Sequence, residues 1–216
     1  MATNDYGVGL LEEINASLEW MNAVVAKKAV PINYQLAEVI LDSLRAAGFH
    51  CGIIGGYARD RFFGLTPKDM DICVAVGSQD DDGAIESINE RISNILFEGC
   101  YKNKIYVARH SFGMYNDHAS DRACGVFKYP EDGIDVILYR DCNTVPDIVN
   151  SFDFNLNQFG MDGEHDDMPV YAGTSDLRTL KAIRGDHSET RGLYVLHKHR
   201  DLLPAIERAY KEGRLV

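Results

Sequence analysis

Two aspartates separated by one residue form the pattern in this sequence that most directly suggests chemistry. Asp69 and Asp71 stand at the start of an apolar run, residues 70–76, that is typical of a buried strand. Residues i and i+2 of a strand point to the same face, so the two carboxylates would lie side by side. Paired carboxylates repel unless a cation separates them, and Mg²⁺ prefers such oxygen ligands. Two aspartates at the solvated edge of a strand give the same pattern, and for this motif alone that is the better interpretation.

A pair of glycines precedes these aspartates. Gly55 and Gly56 follow the apolar run 50–54 and open a short predicted helix, so backbone N–H groups and a helix N-terminus would meet at one point, which favours phosphate. A plain tight turn explains most such glycine pairs. Arg59, one turn into the helix, either forks onto a phosphate or pairs with its neighbour Asp60. The order of glycine turn, short helix and paired aspartates favours the phosphate interpretation.

These features, in this order, resemble a known family. The residues concerned are GGYARD at 55–60, FFG at 62–64 and PKDMD at 67–71. They resemble the G-G-x-x-R-D … L-L-G … P-K-D-x-D signature of the tRNA nucleotidyltransferase (CCA-adding enzyme) and bacterial poly(A) polymerase family. Two later stretches, DFNLN at 153–157 and GTSDL at 173–177 followed by Ile183-Arg184, resemble its D-F-T-I-N and G-x-x-D-L … I-R segments. The resemblance covers about residues 50 to 185.

The resemblance implies a fold and a reaction. The fold would be α+β, the polymerase-β-like nucleotidyltransferase head, in which helices flank a small mixed β-sheet. The reaction would transfer a nucleoside monophosphate from a nucleoside triphosphate to a hydroxyl, with two Mg²⁺ ions. Asp69 and Asp71 would hold the ions together with a third carboxylate from a neighbouring strand. Asp135 is the candidate, and an aspartate leaving a hairpin turn is the alternative explanation for it.

The resemblance also implies a nucleotide site. Its residues would be Gly55, Gly56, Arg59, Asp153, Asn157 and Arg191. Ser151 and Phe152 stand where the family has two arginines, and Tyr194 stands where the base-selecting segment has its second arginine. These departures leave open which base would be chosen and how strong catalysis would be.

Apolar spacing predicts the elements that must position these residues. Helices are expected over residues 10–25, 33–48 and 85–96, and again over 175–183 and 193–203. Strands are expected over 50–54, 70–76, 104–109, 125–129, 134–140 and 154–161, with the fourth and fifth joined as a hairpin. We expect an N-terminal helical segment (1–48), a nucleotidyltransferase domain (49–185) and a short C-terminal helical segment (186–216).

Composition limits the setting in which this chemistry would occur. The chain has 216 residues and a formal net charge of -11, which repels a polyanion, so any nucleic-acid contact must be local. Five scattered cysteines without a C-x-x-C pair argue against a disulfide framework or a zinc site, so a reducing cytoplasm is expected. No signal-like N-terminus and no apolar run of about 20 residues is present, so we expect neither secretion nor a membrane partner.

Three hypotheses about function remain at this point. The leading one is a metal-dependent nucleotidyltransferase that uses an RNA 3′ end or a related hydroxyl. The second keeps the chemistry and uses a small molecule or a protein as acceptor, which the acidic composition and the short C-terminus favour. The third is a nucleotide-binding or structural module of a larger assembly, which the lost arginines favour. The oligomeric state is open.

Overall fold

The computed structural model describes residues 30–78, 82–100, 105–107, 122–162, 167–185 and 187–216. The helix predicted over residues 10–25 lies outside these ranges. The described helices are α1 (Tyr34–Ala46), α2 (Gly56–Phe62), α3 (Asp82–Cys100), α4 (Val145–Asn150) and α5 (Glu189–Lys211). The described strands are β1 (His50–Ile53), β2 (Met70–Ala75), β3 (Ile105–Val107), β4 (Ala123–Tyr129), β5 (Ile134–Tyr139), β6 (Phe159–Asp162) and β7 (Met168–Tyr171).

Five of the strands form one mixed sheet. Its order is β1-β2-β5-β4-β3, and β2 and β5 run parallel at its centre while the other pairs are antiparallel. Strands β6 and β7 form a separate antiparallel pair. Helices pack on both faces of the larger sheet, so the predicted α+β class, a small mixed sheet flanked by helices, is confirmed.

Alternation along β2 and β5 separates two cores. One face contributes Ile72, Val74, Val136 and Leu138 to a core shared with α1 and α3. The opposite face contributes Cys73 and Ile137 to a core shared with α4. Since side chains alternate along a strand, Asp71 and Asp135 lie on the α4 face, at the ends where both strands begin. A third core joins α2, β6 and α5.

Most of the predicted elements agree with the structure. The predicted strands over 50–54, 70–76, 125–129 and 134–140 correspond to β1, β2, β4 and β5, and the hairpin between the last two is confirmed. The predicted helix over 33–48 is α1, which begins where the Asn33 side chain accepts a hydrogen bond from the Leu36 N–H. Strand β3 lies inside the predicted strand 104–109, and α3 extends the predicted helix 85–96 at both ends.

The helix predicted over residues 175–183 is wrong. Backbone groups of this segment bond to distant residues: the Lys181 N–H donates to Asn155 Oδ1, and the Ile183 N–H donates to the Asp153 carbonyl. These bonds hold the segment in turns and bends, with only Ala182 in a bridge, which it forms with Phe154. Apolar residues at helical spacing were therefore misleading here.

The strand predicted over residues 154–161 is wrong in its first half. Residues 155–157 form a single 3₁₀ turn, and only β6 is extended. The side chain of Asn155 is fully buried and bonds to the 176–181 segment, which bends the chain away from a straight strand. Helix α4 and strand β7 were not predicted.

None of the helices within the described ranges is long and apolar enough to cross a membrane.

Candidate active site

The central parallel strands bring two of the predicted carboxylates together. Asp71 of β2 and Asp135 of β5 are direct partners in the register of the sheet. Neighbouring strands lie about 4.8 Å apart, and partners in register point to the same face. Asp69 immediately precedes β2 and is exposed, whereas Asp71 is half-buried. Parallel pairing therefore places a carboxylate of a neighbouring strand beside the D-x-D pair.

The three carboxylates act on one another electrostatically. Burial, then the negative charges of Asp69 and Asp135, raise the pKa of Asp71 to about 8. The positive charges of Lys128 and Arg191 oppose this rise. A carboxyl group whose pKa is raised by burial and by two neighbouring anions is at a place where a bound cation would be favourable.

Lys128 is a member of the site to which no motif pointed. It lies on β4 opposite Asp135, and its Nζ donates to Asp135 Oδ2 at 3.0 Å. The predicted hairpin could have identified it, because a turn at residues 130–133 pairs position 129 with 134 and position 128 with 135. One oxygen of Asp135 is thus engaged by a cation that belongs to the protein.

The donor set fits Mg²⁺ in kind, because Asp69, Asp71 and Asp135 offer only carboxylate oxygens. In the part of the chain that the structure describes, no three His, Cys, Asp or Glu side chains are grouped closely enough to hold a metal ion in the conformation seen. The Lys128 ammonium occupies Asp135 Oδ2, so an ion shared between Asp71 and Asp135 would compete with Lys128 for Asp135.

The predicted nucleotide residues form one connected network. Arg59 is buried, and its Nη1 donates to Asn157 Oδ1 at 3.0 Å. The Asn157 amide donates to Asp153 Oδ1 at 2.9 Å, and Arg191 Nε donates to Asp153 Oδ2 at 2.6 Å. The structure therefore joins four of the six predicted residues, although they come from three separate parts of the chain.

Asp153 is held ionised at the centre of this network. Burial raises the pKa of Asp153, but the charge and hydrogen bond of Arg191 and the hydrogen bonds from Asn157 and the Phe154 N–H outweigh it and lower that pKa. Arg191 lies in the first turn of α5, which begins where the Ser188 side chain accepts a hydrogen bond from the Arg191 N–H. The cap therefore fixes the arginine that neutralises Asp153.

The glycine pair forms a turn between β1 and α2, as predicted, and one of its two backbone N–H groups is bonded within the protein. Gly55 has φ +82° and ψ -133°, a conformation that only glycine adopts readily. Its N–H donates to the Phe159 carbonyl at 2.8 Å, so this amide is engaged within the protein. Gly56 follows as the first residue of α2.

Arg59 adopts the alternative contact that the sequence left open. Its guanidinium forms a salt bridge with Asp60 at 2.8 Å, and Asp60 is also 3.4 Å from Lys198 of α5. Lys198 was not predicted as part of the site. The two positions where the family has arginines have structural contacts: Ser151 Oγ donates to the Ile148 carbonyl, and the Phe152 ring packs edge-on against Tyr139.

The site thus consists of carboxylates on the central parallel strands of a small mixed sheet and a glycine turn beside them. No protein-family model matches the chain. The CCA-adding enzyme of Streptococcus suis (strain 05ZYH33) is 24% identical over 159 residues, which cover 71% of this chain and 36% of the relative. The enzyme of strain 98HAH33 gives the same values. These similarities confirm the predicted resemblance to the tRNA nucleotidyltransferase head-domain family.

Solved structures of CCA-adding enzymes also align with the chain. The Bacillus stearothermophilus CCA-adding enzyme in complex with CTP has 16% identity and a TM-score of 0.44, over 69% of this chain and 33% of that structure. A CCA-adding enzyme in complex with ATP has 12% identity and a TM-score of 0.46, over 83% of this chain and 43% of that structure. The chain spans about a third of the length of the curated relatives that it matches.

Proposed function

We propose that this protein is a metal-dependent nucleotidyltransferase that transfers a nucleoside monophosphate from a nucleoside triphosphate to a hydroxyl. The observation that carries the proposal is the register pairing of Asp71 with Asp135, next to Asp69. Burial and the charges of these two carboxylates together raise the pKa of Asp71. Sequence similarity to CCA-adding enzymes supports the same chemistry.

The three aspartates would hold the divalent ions. The family resemblance implies two such ions. When bound, Mg²⁺ supplies stabilisation of the charge that builds on the attacking and leaving oxygens. The acceptor hydroxyl oxygen would attack the α-phosphorus and release its proton to solvent, as the bond to the bridging oxygen breaks and pyrophosphate leaves. The role of Asp69, Asp71 and Asp135 is to place carboxylate oxygens on one face, at the start of β2 and β5.

The nucleotide would lie between the carboxylates and α5. Arg191 is well placed for it, since this side chain is 38% exposed and its charge acts on both Asp71 and Asp153. Asp153 and Asn157 would line the pocket, with Gly55, Gly56 and Arg59 on the triphosphate side. Arg59 is 8% exposed and paired with Asp60, so we propose that it mainly holds the turn in shape and reaches phosphate only by exchanging that partner.

An RNA 3′ end, as in tRNA processing, is the acceptor that the similarity to CCA-adding enzymes favours. The net charge of -11 favours a small molecule or a protein hydroxyl instead, because a strongly acidic protein repels RNA. A module that binds nucleotide without turnover is the remaining alternative, favoured by Ser151 and Phe152 at the two arginine positions. We propose a cytoplasmic location, in keeping with four buried cysteines among the described residues that form no disulfide.

Labelled triphosphates, Mg²⁺ and total RNA test the proposal directly. We expect label in RNA, or in a small molecule or protein if the acceptor differs, and its loss in the Asp69→Asn, Asp71→Asn double variant. Asp141→Asn is the matched control, because Asp141 is exposed, lies outside the site and has φ 59°, which asparagine tolerates. Equal labelling by the double variant and the control would refute the proposed chemistry. Tight ATP binding without label transfer would favour the binding module.

A further inference from the structure

Lys128 contacts a carboxylate oxygen of Asp135 that a metal ion would also use. The β4–β5 register sets Lys128 beside Asp135, and the ion pair is largely shielded, with 20% of the lysine side chain and 24% of the aspartate side chain exposed. The charge of Lys128 also reaches Asp71, whose pKa it lowers. One ammonium group therefore acts on both carboxylates of the parallel strand pair.

An ammonium group and a divalent cation compete for the same oxygens. Lysine is a compact point charge, and at this shielded position its interaction with a carboxylate is stronger than that of an exposed surface pair. It also offsets the repulsion between carboxylates that would otherwise destabilise the metal-free site. A divalent ion that binds Asp135 must displace this charge or lie beside it, and both lower its affinity.

We propose that Lys128 is a built-in counter-cation that holds Asp135 in the metal-free protein and competes with the divalent ion for it. This inference rests on the proposed function, because it takes Asp69, Asp71 and Asp135 to be the metal ligands. Lys128 acts on the reaction through Asp135, so it is a positioning residue. The ion would bind Asp135 either in exchange for Lys128 or beside it, and in both cases against the positive charge of Lys128.

Direct measurement of metal binding tests the inference without any turnover. We expect Lys128→Met to lower the dissociation constant for Mn²⁺ at least about fivefold relative to the unsubstituted protein, measured by calorimetry and by electron paramagnetic resonance of free Mn²⁺. Lys128→Arg keeps the charge and should stay within about twofold. Lys68→Met is the matched control, because Lys68 is exposed and next to Asp69 in sequence, so it removes the same charge near the site.

The outcomes separate this inference from the proposed function. An Mn²⁺ affinity in Lys128→Met equal to that of the unsubstituted protein or of Lys68→Met, with binding abolished by Asp71→Asn, would overturn the role of Lys128 and leave the metal site standing. Absence of Mn²⁺ binding in every variant would overturn the metal site and this inference with it. Lys128→Gln repeats the test with a neutral hydrogen-bond donor should the methionine variant fold poorly.

Discussion

Replacing Asp71 with asparagine should stabilise the protein when metal is absent. The pKa of Asp71 is about 8 in the folded protein against an ordinary value of 3.8. Between these values the folded protein keeps a proton that the unfolded chain has released, so the free energy of unfolding falls by up to about 1.4 kcal/mol for each pH unit as pH rises. At pH 7 the accumulated cost is at most about 4 kcal/mol.

Asparagine keeps the shape of the side chain and removes this cost. We therefore expect Asp71→Asn to raise the free energy of unfolding by roughly 1–4 kcal/mol at pH 7, in urea denaturation with EDTA present. Between pH 5 and pH 8 the unsubstituted protein should lose stability through Asp71, and the variant should lack that loss. The raised pKa values of the Cys73 and Cys142 thiols act only at higher pH.

Metal should reverse the ranking of the two proteins. Mg²⁺ should stabilise the unsubstituted protein more at pH 8 than at pH 6, because the ionised form of Asp71 is the one that binds it, and it should leave Asp71→Asn nearly unchanged. Asp69→Asn is the graded control, with a smaller gain than Asp71→Asn because Asp69 is exposed. A destabilised Asp71→Asn variant, or equal pH dependence of the two proteins in EDTA, would refute this account of the site.

Three further predictions concern the surroundings of the carboxylates. Asn155→Ala should destabilise the protein by about 2–3 kcal/mol in urea denaturation, because it leaves the Thr179 carbonyl and the Lys181 N–H without their buried partner. Gly55→Ala should cost about 1–3 kcal/mol in the same assay, because φ +82° strains any other residue. Arg191→Met should raise the pKa of Asp153, followed by NMR titration of its carboxyl carbon, and weaken ATP binding at least about tenfold in calorimetry.

The strands and the carboxylates could be predicted because local pattern determines them. Short apolar runs bounded by turn residues identified β1, β2, β4 and β5, and a hairpin between β4 and β5 followed from the turn at residues 130–133. The parallel pairing of β2 with β5, which sets Asp135 beside Asp71, depends on contacts between distant parts of the chain. Only the family resemblance suggested that the third carboxylate comes from a neighbouring strand.

The remaining errors arose where tertiary hydrogen bonds override local preference. Residues 175–183 have apolar positions at helical spacing, but Asp153 and Asn155 bond to backbone groups of this segment and keep it from forming a helix. The partner of Arg59 was undecided between phosphate and Asp60 for the same reason, since it depends on which groups the fold brings near. No sequence motif indicated Lys128, because only the register between β4 and β5 brings it beside Asp135.

Helix α5 supplies two cations to acidic groups on other elements. Arg191 and Lys198 are seven residues apart, two turns along the same side of the helix, and they contact Asp153 and Asp60 respectively. Both aspartates are buried, so a protein truncated before residue 187 would lose the Arg191 charge that pairs with Asp153 and the Lys198 charge that lies near Asp60. Any shift of α5 along its axis would move both contacts together, which couples the far end of the chain to the glycine turn.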